Sequence, residues 1–95
     1  MKVYFLGIGG IGMSALARYY HRRGAEVHGY DLTPSPLIEK LVDEGMHVHF
    51  DDNPEWIPQD VDMCVYTPAV PKTNREFQYF EKNGIRLIKR SQALG

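Results

Sequence analysis

The residues with most to say about chemistry are Gly7-Ile8-Gly9-Gly10-Ile11-Gly12, a G-x-G-x-x-G pattern with one extra glycine inside it. Each glycine answers a physical need. The first permits a tight turn, the second lets backbone approach a phosphate with no side chain between, and the third lets a helix pack closely on a strand. Gly10 removes one more side chain from the mouth of the loop. Backbone N–H groups from Gly9 through Ile11 to Gly12, backed by the positive end of a helix dipole, would suit a diphosphate. The plainer alternative is that the glycines only allow tight packing. Ser14, two residues further on, has a hydroxyl for a phosphate or for its own helix backbone. Asp31 follows Gly12 by nineteen residues. It suits hydrogen bonds from a ribose, another sugar or a base, or else closes the turn into Thr33-Pro34. Thr67-Pro68-Ala69 offers a hydroxyl donor on a backbone stiffened by proline, or simply a rigid strand exit. Lys72, Arg75 and Arg90 are cations suited to a phosphate or carboxylate, and each also reads as a plain surface charge.

Other chemistries find little support. His21, His28, His47 and His49 show no metal-ligand spacing, although His47 and His49 would share one face of a strand. Cys64 is the single cysteine, which excludes an internal disulfide and reads as an inert core thiol. No Ser-His-Asp or Cys-His arrangement can be argued. No Gly-Lys dipeptide occurs, so ATP cannot be cradled here in the P-loop manner. We therefore expect no catalytic residue, metal site or cofactor within this chain.

The elements that must position these groups alternate. Val3 to Ile8 is a nearly continuous apolar run, as for a strand covered on both faces. Met13, Leu16, Ala17 and Tyr20 give a helical stripe over Gly10 to Arg23, with Gly24 as its C-terminal cap. Glu26 to Tyr30 is a second strand. Pro36 starts a second helix carrying Leu37, Ile38, Leu41 and Val42 and ending at Gly45. Met46 to Phe50 is a third strand. Asp51 to Asp62, with five acids and no base, is an exposed loop with at most one helical turn around Trp56. Asp62 to Tyr66 is a fourth strand. Thr73 and Glu76 have capping-box spacing for a third helix, which buries Phe77 and Phe80 and stops at Asn83-Gly84. Ile85 to Ile88 is a fifth strand, and Ser91 caps the start of a further helix that is cut off at Leu94-Gly95. This pattern predicts an α/β fold: an open five-stranded parallel sheet, order 3-2-1-4-5, with helices on both faces. Its ligand crevice lies at the switch point between strands 1 and 4.

Composition narrows the function. Ninety-five residues make one domain and are too few for a complete two-substrate enzyme. Eleven basic against twelve acidic residues leave a net charge of −1, which argues against a nucleic-acid partner. No apolar run approaches the roughly 20 residues needed to cross a bilayer, and Met1 to Gly7 reads as a first strand rather than a signal peptide. A reduced, cytoplasmic setting fits.

Phe5-Leu6-Gly7-Ile8-Gly9-Gly10-Ile11-Gly12-Met13-Ser14-Ala15-Leu16-Ala17 resembles the N-terminal motif of the Mur ligases, and among them the UDP-N-acetylmuramate–L-alanine ligases. The resemblance continues through Gly29-Tyr30-Asp31-Leu32, Tyr66-Thr67-Pro68-Ala69-Val70-Pro71, Asn74-Arg75-Glu76 and Ile88 to Gly95. It implies a Rossmann-like first domain, here residues 1–95, that binds the UDP part of UDP-N-acetylmuramate. The ATP-binding and C-terminal domains would be absent, and this fragment would be inactive alone. The full enzyme would use ATP and Mg²⁺ to join L-alanine to the lactyl carboxylate in peptidoglycan precursor synthesis. Gly9, Gly10, Ile11, Gly12 and Ser14 would meet the diphosphate, Gly7 would belong to the same UDP-sugar site, Asp31 would lie near the uridine, and Thr67, Pro68, Ala69 and Val70 would line the opposite wall. Two positions depart from the pattern. Thr67-Pro68 stands where many members have two serines, and Asp51-Asp52 falls near a Gly-His pair. The same glycines with Asp31 also suit an NAD(H)-binding domain, or a non-catalytic interaction domain with a vestigial loop.

Overall fold

The computed structural model describes residues 1–93, so Leu94 and Gly95, where the fourth helix was expected to break off, lie outside it. Five strands, β1 (Lys2–Leu6), β2 (Glu26–Tyr30), β3 (His47–His49), β4 (Met63–Tyr66) and β5 (Leu87–Lys89), alternate with helices α1 (Ile11–Arg22), α2 (Pro36–Asp43), α3 (Arg75–Lys82) and α4 (Arg90–Ala93). A single 3₁₀ turn, Pro54–Trp56, interrupts the acidic loop as expected. All the pairings are parallel and the sheet order is β3-β2-β1-β4-β5, as the alternation implied.

The apolar run of β1 is buried on both faces, and successive side chains divide between two cores. Val3 and Phe5 join Met13, Leu16 and Ala17 of α1 and Leu41 of α2 on one side. Tyr4 and Leu6 join Phe77 and Phe80 of α3 on the other. Helices therefore cover both faces, and the carboxyl ends of β1 and β4 open between them.

Three helices end in the same way. After α1, Gly24 N donates to the His21 carbonyl and Ala25 N to that of Tyr20. Gly45 with Met46, and Gly84 with Ile85, repeat the pair after α2 and α3. This is the Schellman motif, and its left-handed position is a glycine each time. It explains the late starts of β3 and β5, expected at Met46 and Ile85, since Met46 spends its amide on the Leu41 carbonyl. Ile85 spends its amide on the Phe80 carbonyl at 3.0 Å, so β5 begins at Leu87 and not at Ile85. The first strand is also shorter than its apolar run. Gly7, at φ +89°, turns the chain so that Gly7 N and Ile8 N both donate to the Tyr30 carbonyl.

The expected capping box of α3 is not formed. Asn74 is the cap, its Oδ1 accepting from Phe77 N at 2.8 Å. Asp52, from the acidic loop, accepts from the next two amides, Arg75 N at 2.8 Å and Glu76 N at 3.0 Å. Glu76 turns inward instead of back toward Thr73, and it is fully buried. Ser91 likewise lies inside α4 rather than capping it.

Candidate functional site

A cleft of about 600 Å³ opens at the switch point, beyond the carboxyl ends of β1, β2 and β4. Gly7, Gly10, Gly12 and Met13 form one side of it, Tyr30 to Thr33 another, and Thr67, Ala69, Val70 and Pro71 the wall across from the glycines. Asp52, Thr73, Asn74 and Arg90 complete the lining. Of the residues expected from sequence, Gly7, Gly10, Gly12, Asp31, Thr67 and Ala69 thus meet in one cleft. Gly9, Ile11, Ser14 and Pro68 do not line it with their own atoms, and neither do Lys72 and Arg75.

The glycine loop is built more tightly than the motif alone suggests. Gly9 N donates to Asp31 Oδ2 at 2.7 Å, and Thr33 N donates to the other oxygen, Oδ1, at 3.1 Å. One carboxylate therefore latches the glycine loop to the β2–α2 turn, so the turn-closing role of Asp31 is real. Gly10 N points to the Gly7 carbonyl at 3.3 Å. The amides of Gly9 and Gly10 are thus committed internally, contrary to the expectation that all four from Gly9 to Gly12 are free. The first helical bond of α1 runs from Ser14 N to the Gly10 carbonyl at 2.8 Å. Ahead of it, the amides of Ile11, Gly12 and Met13 form the donor end of the helix. Ser14 itself is buried, and its hydroxyl donates to the Ile11 carbonyl at 2.9 Å. That places its proton on backbone, away from any phosphate.

Close approach explains two of the glycines. A Cβ on Gly7 would sit 2.6 Å from Thr67 Cγ2, and one on Gly9 would sit 2.8 Å from both Asp31 Oδ2 and Ile38 Cδ1. Gly10 is different. A Cβ there meets nothing closer than 3.7 Å, and its backbone, at φ −65° and ψ 150°, suits any residue. Steric need does not account for Gly10, whereas an open approach to the donor end of α1 does.

The charges in the cleft are divided. Arg90, the first residue of α4, lays its guanidinium over Gly12, close enough that a Cβ there would be 2.9 Å from it. No carboxylate pairs with it among the described residues. With the donor end of α1 it makes an electropositive side. Asp31 and Asp52 supply acceptors elsewhere in the lining. Burial and the carboxylates of Asp52, Glu76, Asp31 and Asp51 push the Tyr30 phenol above its ordinary value, so it remains a donor. The Thr67 hydroxyl oxygen receives Ala69 N at 3.4 Å, which leaves its proton for a ligand. Sequence reasoning passed over Tyr30 and Asn74 because neither stands in a glycine or charge pattern. Asp52 was visible only as a departure from a motif. Among the described residues no three His, Cys, Asp or Glu side chains come together as a metal site.

Residues 2–95 match the family model described as Mur ligase family, catalytic domain. The chain belongs to the Mur ligase family. As a Mur ligase chain it is 54% identical over 99 residues to a UDP-N-acetylmuramate–L-alanine ligase of Porphyromonas gingivalis, covering 99% of this chain and 22% of that protein. It is 52% identical to the enzyme of that name from Phocaeicola vulgatus, with the same coverage. The crystal structure of the UDP-N-acetylmuramate-alanine ligase MurC from Thermotoga maritima superposes with a TM-score of 0.91 at 30% identity, covering 96% of this chain and 21% of that one. The chain thus spans about a fifth of the length of the relatives it matches. No described helix of this Mur ligase chain is long and apolar enough to cross a membrane.

Proposed function

We propose that residues 1–95 form the UDP-sugar-binding domain of a UDP-N-acetylmuramate–L-alanine ligase. The observation that carries this reading is the donor end of α1, kept open by Gly10 and flanked by Arg90, in a family whose named relatives act on UDP-N-acetylmuramate. The amides of Gly12 and Met13, whose residues line the cleft, and the Arg90 guanidinium would hold the diphosphate, with the Thr67 hydroxyl donating from the opposite wall. Tyr30, Asp31 and Asp52 would present a donor and acceptors to the uridine. Fixing the nucleotide in this way would hold the sugar in one orientation for the reaction. Other parts of the full protein would supply ATP, Mg²⁺ and L-alanine. Phosphoryl transfer from ATP to the carboxylate would give an acyl phosphate and ADP. The amine would then displace phosphate to form the amide. The sequence has no Gly-Lys dipeptide for a P-loop, and none of those steps is assigned to its residues. On this reading the protein works in the cytoplasm.

Gly10→Asp tests the reading because its two effects have opposite signs. Gly10 is the N-cap of α1 and has no side-chain cap bond. An Asp there gains the cap and favours the helix dipole by about 0.5–1 kcal/mol. The same carboxylate would face the phosphates. We expect thermal stability held or raised, and affinity for UDP-N-acetylmuramate lowered by roughly tenfold or more, about 1.4 kcal/mol. A folded variant with unchanged affinity would show that the diphosphate does not lie at α1.

A further inference from the structure

We propose that Glu76 is a positioning residue for this cleft, fastening the segment 51–53 and the Asp52 wall to the sheet. The proposal rests on the reading of the cleft as a uridine-nucleotide site. Glu76 lies in the first turn of α3 with no exposed surface, an unusual place for a carboxylate. Three donors account for it. Oε1 accepts from the Tyr4 hydroxyl on β1. Oε2 accepts from the His49 ring at 2.7 Å and from the Asn53 amide at 3.1 Å. The His49 nitrogen facing Glu76 also lies 3.0 Å from the Tyr4 hydroxyl, which ties the two strands together.

The bonds form a closed circuit. Asp52, which lines the cleft, accepts the amides of Arg75 and Glu76. Glu76 in turn accepts the amide of Asn53. The loop thus holds the helix by its first amides, and the helix holds the loop by its buried carboxylate. Asn74, also in the lining, caps the same turn. Two lining residues, Asp52 and Asn74, are therefore placed by one circuit whose fixed end is the pair Tyr4 and His49 on the sheet. A buried acid that served stability alone would have no need to bind the loop that lines the cleft.

The test compares Glu76→Ala, Glu76→Gln and Tyr4→Phe by amide exchange and by affinity for UDP. Gln keeps an acceptor for Asn53, and Phe keeps the packing of the Tyr4 ring, so a folded variant is available if the alanine is not. In Glu76→Ala, exchange at Asn53, Arg75 and Glu76's own position should accelerate about tenfold relative to Phe5 and Val65, with UDP affinity falling by a similar factor. Glu76→Gln should recover most of both, and Tyr4→Phe should shift both in the same direction by about threefold. Exchange that merely follows the core amides, or unchanged affinity in a folded alanine variant, would overturn the proposal. A wild-type chain that left UDP unbound would count against the proposed function alone, and the exchange comparison would still decide whether Glu76 holds the wall.

Discussion

At the scale of single residues, the four glycines of the loop do different work. Gly7 and Gly9 are sterically required, by Thr67 and by Asp31 with Ile38, whereas Gly10 is not. Gly9→Ala should therefore destabilise the fold by about 2–3 kcal/mol, since it overpacks the site and weakens the bond to Asp31. Urea midpoints compared with those of Gly10→Ala, expected to stay close to wild type, would check the contrast. The motif could be read from spacing, but the division of labour could not. Which glycine faces a side chain depends on what Asp31 and Thr67 bring from other strands. Asp31 was legible as a site residue and proves to be the latch of the site as well. Ser14 shows the reverse case, because its hydroxyl has a local acceptor that no spacing rule ranks above a ligand.

Among the elements, the starts and stops that rest on local chemistry were legible. Pro36 opens α2, and Gly24, Gly45 and Gly84 close α1 to α3. The cap of α2 is equally local: Ser35 Oγ accepts from Ile38 N at 3.2 Å in the approach to Pro36. Ser35→Ala should cost about 1 kcal/mol and show as a lower thermal midpoint, with the cleft unchanged. The start of α3 was misread for a physical reason. Thr73 and Glu76 satisfy the capping-box spacing, yet Asp52 reaches the helix from twenty-three residues away. With the Glu76 amide held by Asp52, the Thr73 hydroxyl has no partner for a box, and the Glu76 carboxylate turns to the interior. A long-range cap leaves no periodic trace in a single sequence. β5 was expected and is present, but it starts at Leu87 because the Ile85 amide is taken by the Schellman motif that closes α3.

For the whole molecule, the alternation of strand and helix specified the sheet order because parallel pairing and right-handed crossovers leave few arrangements. Its double-sided core makes a prediction about alkaline stability. Burial raises the Tyr4 phenol, with Glu76 adding to it, and burial raises the Cys64 thiol. Both keep their protons in the folded state after the unfolded chain has begun to lose them. Their contribution is therefore complete below the ordinary values, about 8.5 for Cys and 10 for Tyr, and fades as pH rises beyond them. Urea midpoints should be level from pH 7 to about 8 and fall toward pH 11, with a shallower fall above pH 10 in Tyr4→Phe. The small net charge of −1 also fits the proposal that the site holds phosphate chiefly with backbone amides and one arginine. The most direct test of that central claim is a titration of the chain with UDP-N-acetylmuramate, UMP and NAD, followed through backbone amide shifts. UDP-N-acetylmuramate should move Ile11, Gly12 and Met13 together with Thr67 and Asp52, UMP should move a subset of these, and NAD should leave them in place. Saturable shifts at those amides with NAD, and none with either uridine nucleotide, would contradict the account.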